Sequence, residues 1–303
     1  MAFLSDAARV GSTRTRAAGP SAWYLAPALA IFLLFAVAPL LLALWLSFTR
    51  WNGIAPPQVV NLDNWQAVLK DPATWHSLRL SIEVVVLSWI VQTPISLLLG
   101  VFVAAKHRYR ALLAALYFVP LLLSSAAVGI AFKAILDPNF GLSSAGVSWL
   151  RQNWLGSPSL ILPVVVFVIA WQFVPLHTLL YQGGVRQIPA SLYEAAEMDG
   201  ASRVQQFFMI TLPQLRYTIV TSSTIMITGS LTYFDVVFVL TGGVPSDAIN
   251  ILPISMYVTG FSAEQFGTAS VLAIILAGIG LVVSLMLTKL SGFNRMSSQQ
   301  EGF

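Results

Sequence analysis

Ser191-Leu192-Tyr193-Glu194-Ala195-Ala196-Glu197-Met198-Asp199-Gly200-Ala201-Ser202-Arg203-Val204-Gln205-Gln206-Phe207-Phe208-Met209-Ile210-Thr211-Leu212-Pro213 is a polar island between two long apolar stretches. Its punctuation is that of two short helices. Ser191 followed by Glu194 has the spacing of a capping box, Gly200 suits a left-handed stop, Ser202 can cap a second helix and Pro213 can end it. A helix–turn–helix with a polar side, set in the loop 183–216, is expected to act as a docking element.

On either side of the island the charge disappears. Only 9% of the 303 residues are Asp, Glu, Lys or Arg and 57% are hydrophobic, against roughly 25% charged in an ordinary soluble domain. A helix needs about 20 mainly apolar residues to cross the roughly 30 Å hydrocarbon core of a bilayer. Six stretches lack charge, 17–49, 84–105, 111–132, 152–185, 217–234 and 265–288. They predict an all-α membrane protein with six transmembrane helices near 22–48, 82–104, 111–135, 160–182, 217–240 and 265–288. The run after Arg14 and Arg16 is longer than the about 7–15 apolar residues of a cleaved signal, so the first span is expected to stay.

The basic residues report orientation. Arg9, Arg14, Arg16, Lys106, Arg108, Arg110, Arg186, Arg203, Arg216, Lys289 and Arg295 fall on one side of the predicted spans, and only Arg50, Lys70, Arg79, Lys133 and Arg151 on the other. By the positive-inside rule both termini, the 105–110 turn and the 183–216 loop are cytoplasmic. Residues 1–20 then form a flexible cytoplasmic tail, 21–290 the six-span domain, 186–213 a cytoplasmic loop within it and 291–303 a second tail. The outer loop 50–79, with Trp51, Trp65 and Trp75 among turn formers, is expected to fold against the membrane surface. The net charge of +4 does not point to nucleic acid, because the basic residues are scattered singly rather than gathered on one face.

Several chemistries are excluded or disfavoured. There is no cysteine, hence no disulfide or thiolate. A nucleotide-binding P-loop needs Gly-Lys followed by Ser or Thr, but Lys70, Lys106, Lys133 and Lys289 precede Asp71, His107, Ala134 and Leu290. Ion coupling relies on ionisable groups at mid-membrane. Glu83, Lys133 and Asp235 all lie near outer ends of the predicted spans, and His177 alone is deep. The three histidines are too scattered for a metal site, and no acid–base pair falls together, so an enzyme is not expected.

The string Glu194-Ala195-Ala196, three residues, Gly200, nine residues, Ile210, one residue, Leu212-Pro213 resembles the EAA loop of binding-protein-dependent ABC importers, and it meets every position of that pattern. Trp45-Leu46-Ser47-Phe48-Thr49, Leu62-Asp63-Asn64-Trp65 and Phe118-Val119-Pro120 are similar in order and spacing to the carbohydrate permease family. Leu240-Thr241-Gly242-Gly243-Val244-Pro245 resembles the LTGGGP turn of the MalF-like member of a permease pair, with Val244 where a third glycine is usual.

The resemblance implies a type I ABC importer permease with a cytoplasmic coupling helix between spans four and five. Glu194, Ala195, Ala196, Asp199, Gly200, Ala201, Ile210, Leu212 and Pro213 would then couple to an ATPase. The implied partners are a second, MalG-like permease subunit, two cytoplasmic ABC ATPases and an extracytoplasmic lipoprotein that delivers a sugar. ATP and Mg would be bound by the ATPase and no cofactor by this chain.

Sugars are held by aromatic faces and hydrogen-bonding groups. Met226, Gly229, Ser230 and Tyr233 fall at i, i+3, i+4 and i+7 and share one helical face, which makes them candidates for the substrate pathway. They sit at the positions that line the sugar cavity in the maltose-type relatives, although small residues and Tyr also recur where membrane helices pack. Trp171, Gln172 and His177 in the fourth span are further candidates. A permease for glycerol phosphate, peptide or phosphate, or a passive six-span channel, are the alternatives. The absence of basic groups in the span interiors favours a neutral cargo, and a channel would need no docking helix.

Overall fold

The computed structural model describes residues 22–104, 108–142, 146, 151–244 and 246–290, so both predicted tails and part of the 105–110 turn lie outside the described residues. The fold divides into a unit ending at Leu42 and a second beginning at Ala43. In the first, a 3-10 turn (Ala22–Leu25) leads into α1 (Ala26–Phe32), a wider π turn (Leu33–Val37) and the start of α2 (Ala38–Leu46). Pro39 explains the π turn. It has no N–H to give and its ring pushes away the carbonyl four residues back. The Ala38 N–H reaches instead to Leu33, one residue further.

In the second unit a two-stranded hairpin, β1 (Thr49–Arg50) on β2 (Gln58–Val59), precedes α3 (Asp63–Lys70). The buried Asn64 amide donates to the Ser47 and Thr49 carbonyls at 3.0 and 2.7 Å, which satisfies backbone that leaves α2 without a helical partner. The loop 50–79 is thus tied down by its own hydrogen bonds. Its Val68 packs with Leu252 and with Val271 and Leu272 of the last helix.

Helix α4 (Pro72–Ala104) begins ten residues before the predicted span. Asp71 accepts the Ala73 N–H at 3.0 Å and Pro72 opens the helix, so local capping sets the start rather than the edge of the apolar run. The predicted third span is two helices, α5 (Arg108–Leu122) and α6 (Ser125–Ile135), bent by 101°. Pro120 weakens the end of α5, and Ser124 caps α6 by accepting the Ala127 N–H at 3.2 Å.

Helix α7 (Ile161–Arg186) matches the fourth span. After the loop helices α8 (Ala190–Met198), α9 (Arg203–Gln206) and α10 (Leu212–Gln214), the predicted fifth span divides into α11 (Arg216–Ser230) and α12 (Asp235–Leu240). α13 (Leu252–Tyr257) and α14 (Phe266–Leu290) complete the chain. Among the described residues four helices are continuous enough to cross a membrane, Trp23–Leu46, Pro72–Ala104, Ile161–Arg186 and Phe266–Lys289, and the bent α5–α6 pair makes a fifth if it counts as one span.

The core lies between α4 and α7, which form the most extensive helix pair, with α6, α11, α12 and α13 around them. Val84, Val128, Val165, Val168, Ile169, Val237, Leu240, Ile249 and Ile254 fill it. At Gly100 the α4 backbone passes so close to α7 that a Cβ would stand 2.6 Å from Tyr181 Cβ and 3.1 Å from the Thr178 carbonyl.

Candidate coupling loop and polar seam

The loop after α7 is built by its own backbone. Helix α8 starts at Ala190 with Pro189 in the capping position, so Ser191 is already inside the helix and the expected Ser191–Glu194 capping box does not form. Proline at 189 fixes an extended entry, and no side-chain cap is made. The end of α8 follows expectation. Gly200 has φ +78°, the Gly200 N–H bonds the Glu197 carbonyl at 3.0 Å, and the Ala201 N–H bonds the Ala196 carbonyl at 2.8 Å. This paired closure is a Schellman motif, which needs a residue at ease in the left-handed region.

The capping box sits one helix later. The Ser202 hydroxyl accepts the Gln205 N–H at 3.3 Å while Gln205 Oε1 accepts the Ser202 N–H at 2.8 Å. Pro213 does not end the second helix. α9 widens into a π turn (Phe207–Thr211), Leu212 N–H bonds Phe207 five residues back, and the chain turns helically on into α11 after Leu215. The wide turn absorbs the proline, as at Pro39.

Two bonds close the loop on itself: Tyr193 Oη to Thr211 Oγ1 at 2.8 Å, and the buried Gln206 amide to the Ala201 carbonyl at 3.1 Å. Leu212 and Phe207 pack on Leu97, Tyr181 and Leu215, which fixes the loop to α4, α7 and α11. Glu194, Ala195, Asp199, Gly200 and Pro213 are exposed, and Ala196, Ala201 and Ile210 half-buried. Sequence reasoning missed the apolar face beside them. Met198 is 89% exposed and Met209 75%, with Val204 and Phe208 also in the open. The signal was available as large apolar residues inside an otherwise polar loop.

The second assembly is a buried polar seam. Ser81, Ser88, Gln92 and Ser96 of α4, Gln172, His177 and Thr178 of α7, and Ser222, Ser223 and Ser230 of α11 are all buried. Most bond from one helix to another, as buried polar groups must when no water is present. His177 Nδ1 pairs with Ser222 Oγ at 2.9 Å, Trp89 Nε1 donates to Ser223 Oγ at 2.9 Å, and Thr178 Oγ1 donates to the Ser96 carbonyl at 3.3 Å while accepting from the Tyr117 hydroxyl. His177 is therefore an interhelical bond.

Gln172 Nε2 donates to the Leu123 carbonyl at 3.1 Å and to Ser125 Oγ at 3.2 Å. It serves the backbone freed at the 101° break between α5 and α6. Trp171 stands instead at the outer wall, edge-on to Phe132, in an apolar groove of about 570 Å³ shared with Ile95, Val119 and Phe167.

Of the four residues expected on one face, Met226 and Ser230 are buried, Gly229 is half-buried, and Tyr233 follows α11 in the break before α12, its ring stacked on Phe173 at 5.1 Å. The Tyr233 hydroxyl lies beside Ser230 and Gln92. Asp235 stands exposed in the first turn of α12, where a carboxylate suits the helix dipole. The turn at the end of α12 places Gly242 and Gly243 at φ +69° and +74°. Val244 is not among the left-handed residues, so a third glycine is not required there.

Comparison with known proteins gives the same direction. Residues 96–292 match the family described as binding-protein-dependent transport system inner membrane component. The chain is 32% identical to a protein of Bacillus subtilis named "Probable ABC transporter permease protein YurN", over 88% of this chain and 94% of that protein. It is 30% identical to the multiple sugar-binding transport system permease protein MsmF of Streptococcus mutans, over 88% and 93%. A solved bacterial ABC transporter involved in import of the acidic polysaccharide alginate contains a chain of similar fold, with a TM-score of 0.77 at 21% identity, over 91% of this chain and 97% of that one. This chain belongs to the family of binding-protein-dependent transport system inner membrane components.

Proposed function

We propose that the chain is one permease subunit of an ATP-driven importer for a neutral di- or oligosaccharide and forms half of its translocation pathway. The observation that carries the cargo assignment is the seam: among the described residues its buried polar groups are hydroxyls, amides and one imidazole, with no Asp, Glu, Lys or Arg. A cavity for glycerol phosphate would call for basic groups. The relative named for multiple sugars and the alginate transporter of the same fold support a carbohydrate.

The loop 186–213 is the element that meets a cytoplasmic ATPase. Its Schellman closure, its capping box and its anchor at Leu212 make it a rigid body. Met198, Val204, Phe208 and Met209 supply the apolar contact, with Glu194 and Asp199 at its edge. In this reading α5–α6 and α11–α12 each cross once, which gives six spans with both termini cytoplasmic. The partners are a second permease subunit, two ATPases that hold ATP and Mg, and a substrate-binding lipoprotein outside. A passive channel has no use for such a loop.

Two measurements test this. In cells expressing the chain with its partner subunits, uptake of radiolabelled maltose, trehalose or an arabino-oligosaccharide should require a hydrolysing ATPase, and ATP-independent flux would sink the importer reading. Single cysteines at Asn61 and Ser246, both exposed, should react with an impermeant thiol reagent from outside, and one at Ser202 should not. Labelling at Ser202 would overturn the topology.

A further inference from the structure

Helix α5 leans on α7, where the Tyr117 hydroxyl donates to Thr178 Oγ1, and it touches α4 only slightly. A slot of about 570 Å³ is left between the three helices. Ile95 and Leu99 of α4, Leu116 and Pro120 of α5, and Phe167 and Trp171 of α7 stand along it, with the buried Ala170 at its base. The lining holds no charged side chain, and its one hydroxyl, that of Tyr117, is spent on the buried Thr178. A polar cargo has nothing to bond there.

Position says what surrounds the slot. At about 1.5 Å of rise per residue, Leu99 lies about 8 Å from the last residue of α4 and Trp171 about 15 Å from the first residue of α7. With both termini cytoplasmic, the slot therefore runs from the cytoplasmic half of the bilayer to about mid-depth. Its flank is open, since Ile95, Leu116, Val119 and Phe167 are exposed, and the exposed Leu98, Phe102 and Leu112 carry the same apolar surface toward the inner ends of α4 and α5. In an inner membrane component that surface faces lipid, and the slot is continuous with it.

The other end is shut. α6 leaves α5 at 101°, and its Phe132 stands edge-on to Phe167 and Trp171, with ring centres 6.0 and 5.2 Å apart. A straight spanning helix of a neighbouring subunit, about 10–12 Å across, needs a trough that continues through the bilayer, which a slot blind at one end does not supply. A flexible hydrocarbon chain entering from the open end needs none. Left empty, the slot would forfeit the dispersion contacts of every side chain along it.

We propose that the slot holds one acyl chain of a phospholipid from the cytoplasmic leaflet, wedged between α4 and α5 at the root of the bent pair with its tip beneath Phe132. The leaflet rests on the orientation proposed above; the choice of occupant does not.

The test uses the whole transporter, with partner permease, ATPases and binding protein, in vesicles that contain a phosphatidylcholine with a diazirine near the middle of one acyl chain. After illumination, label should be about threefold higher over 116–120 and 167–174 than over 281–286, where Leu281, Val282, Leu285 and Met286 form an exposed apolar face of α14. Ile95→Trp and Ala170→Leu narrow the slot from different sides, and each should bring its label down to the α14 level while the complex assembles in normal yield. The wild-type comparison stands even where a variant fails to assemble. Equal label on the slot and on α14 overturns the proposal, because the slot is then ordinary lipid-facing surface. A cross-link also overturns it: the chain has no cysteine, so Val119→Cys offers a single thiol in this subunit, and its coupling to a cysteine of the partner permease through a short bifunctional maleimide would make the occupant a protein. With the probe confined to one leaflet, label arriving only from the leaflet opposite the ATPases overturns the entry assigned here, while the thiol at Ser202 reports separately on the orientation.

Discussion

Helices α7 and α8 are separated by three residues, 187–189, and obey different rules. Thirteen of the 26 residues of α7 are buried, whereas none of the nine in α8 is. The shape of α7 is set by its neighbours, for Gly100 lets α4 lie against it, Ser222 takes its imidazole, and Gln172 reaches across to a broken helix. α8 is shaped by its termini, through the Pro189 entry and the Schellman closure at Gly200. A substitution in the first should therefore act on folding and assembly. In the second it should act on what the loop meets.

The largest effect that separates the two regions is expected at Gly100. Gly100→Leu forces side-chain and backbone atoms of α7 apart, and overpacking of this kind typically costs about 1–3 kcal/mol, here at the upper end because the Thr178 carbonyl cannot swing away. Membrane-inserted subunit should fall, and its thermal midpoint in detergent should drop. A full-length subunit of normal midpoint would show that the α4–α7 crossing tolerates separation.

Next comes Gly200, where a Cβ meets nothing within 4 Å, so the penalty is purely conformational. Gly200→Val should cost roughly 1–2 kcal/mol locally, leave assembly of the membrane domain intact and reduce ATPase stimulation by loaded binding protein. Gly200→Asn, which tolerates positive φ, should retain more. Equal loss in both would place the requirement in absent volume at a partner's surface rather than in φ.

Smaller still is the test of where the second helix is capped. Ser202→Ala should cost about 1 kcal/mol and Ser191→Ala under about 0.5 kcal/mol, read as thermal shifts of the purified subunit. The reverse order would restore the capping box expected at Ser191. The smallest effect belongs to Arg203→Ala, because its 3.2 Å pair with Glu197 is largely exposed and such pairs contribute well under about 1 kcal/mol.

What was legible in the sequence divides along the same line. The positions of the apolar runs, the stop at Gly200 and the cap at Ser202 are local properties, and each is where the sequence places it. Ser191 was misread because a capping box and the second residue of a helix preceded by proline share the same letters. The apolar runs 111–135 and 217–240 hid two broken helices, since hydropathy records what lipid or protein can surround and is blind to backbone direction. For Gln172, one of several candidates in the fourth span, the sequence could not show the carbonyl that its amide serves, Leu123, 49 positions away.

The sequence alone thus determined that the chain lives in a membrane and where its apolar runs and local helix stops lie, because chain length without charge and short-range capping are carried by neighbouring residues. The tertiary structure decided which polar side chains satisfy one another and which do not. His177 found Ser222 and Trp89 found Ser223, while Gln92 found no aligned partner among the described residues. Hydrogen bonds between helices depend on rotation and depth in three dimensions, and neither is written in the order of residues along one helix.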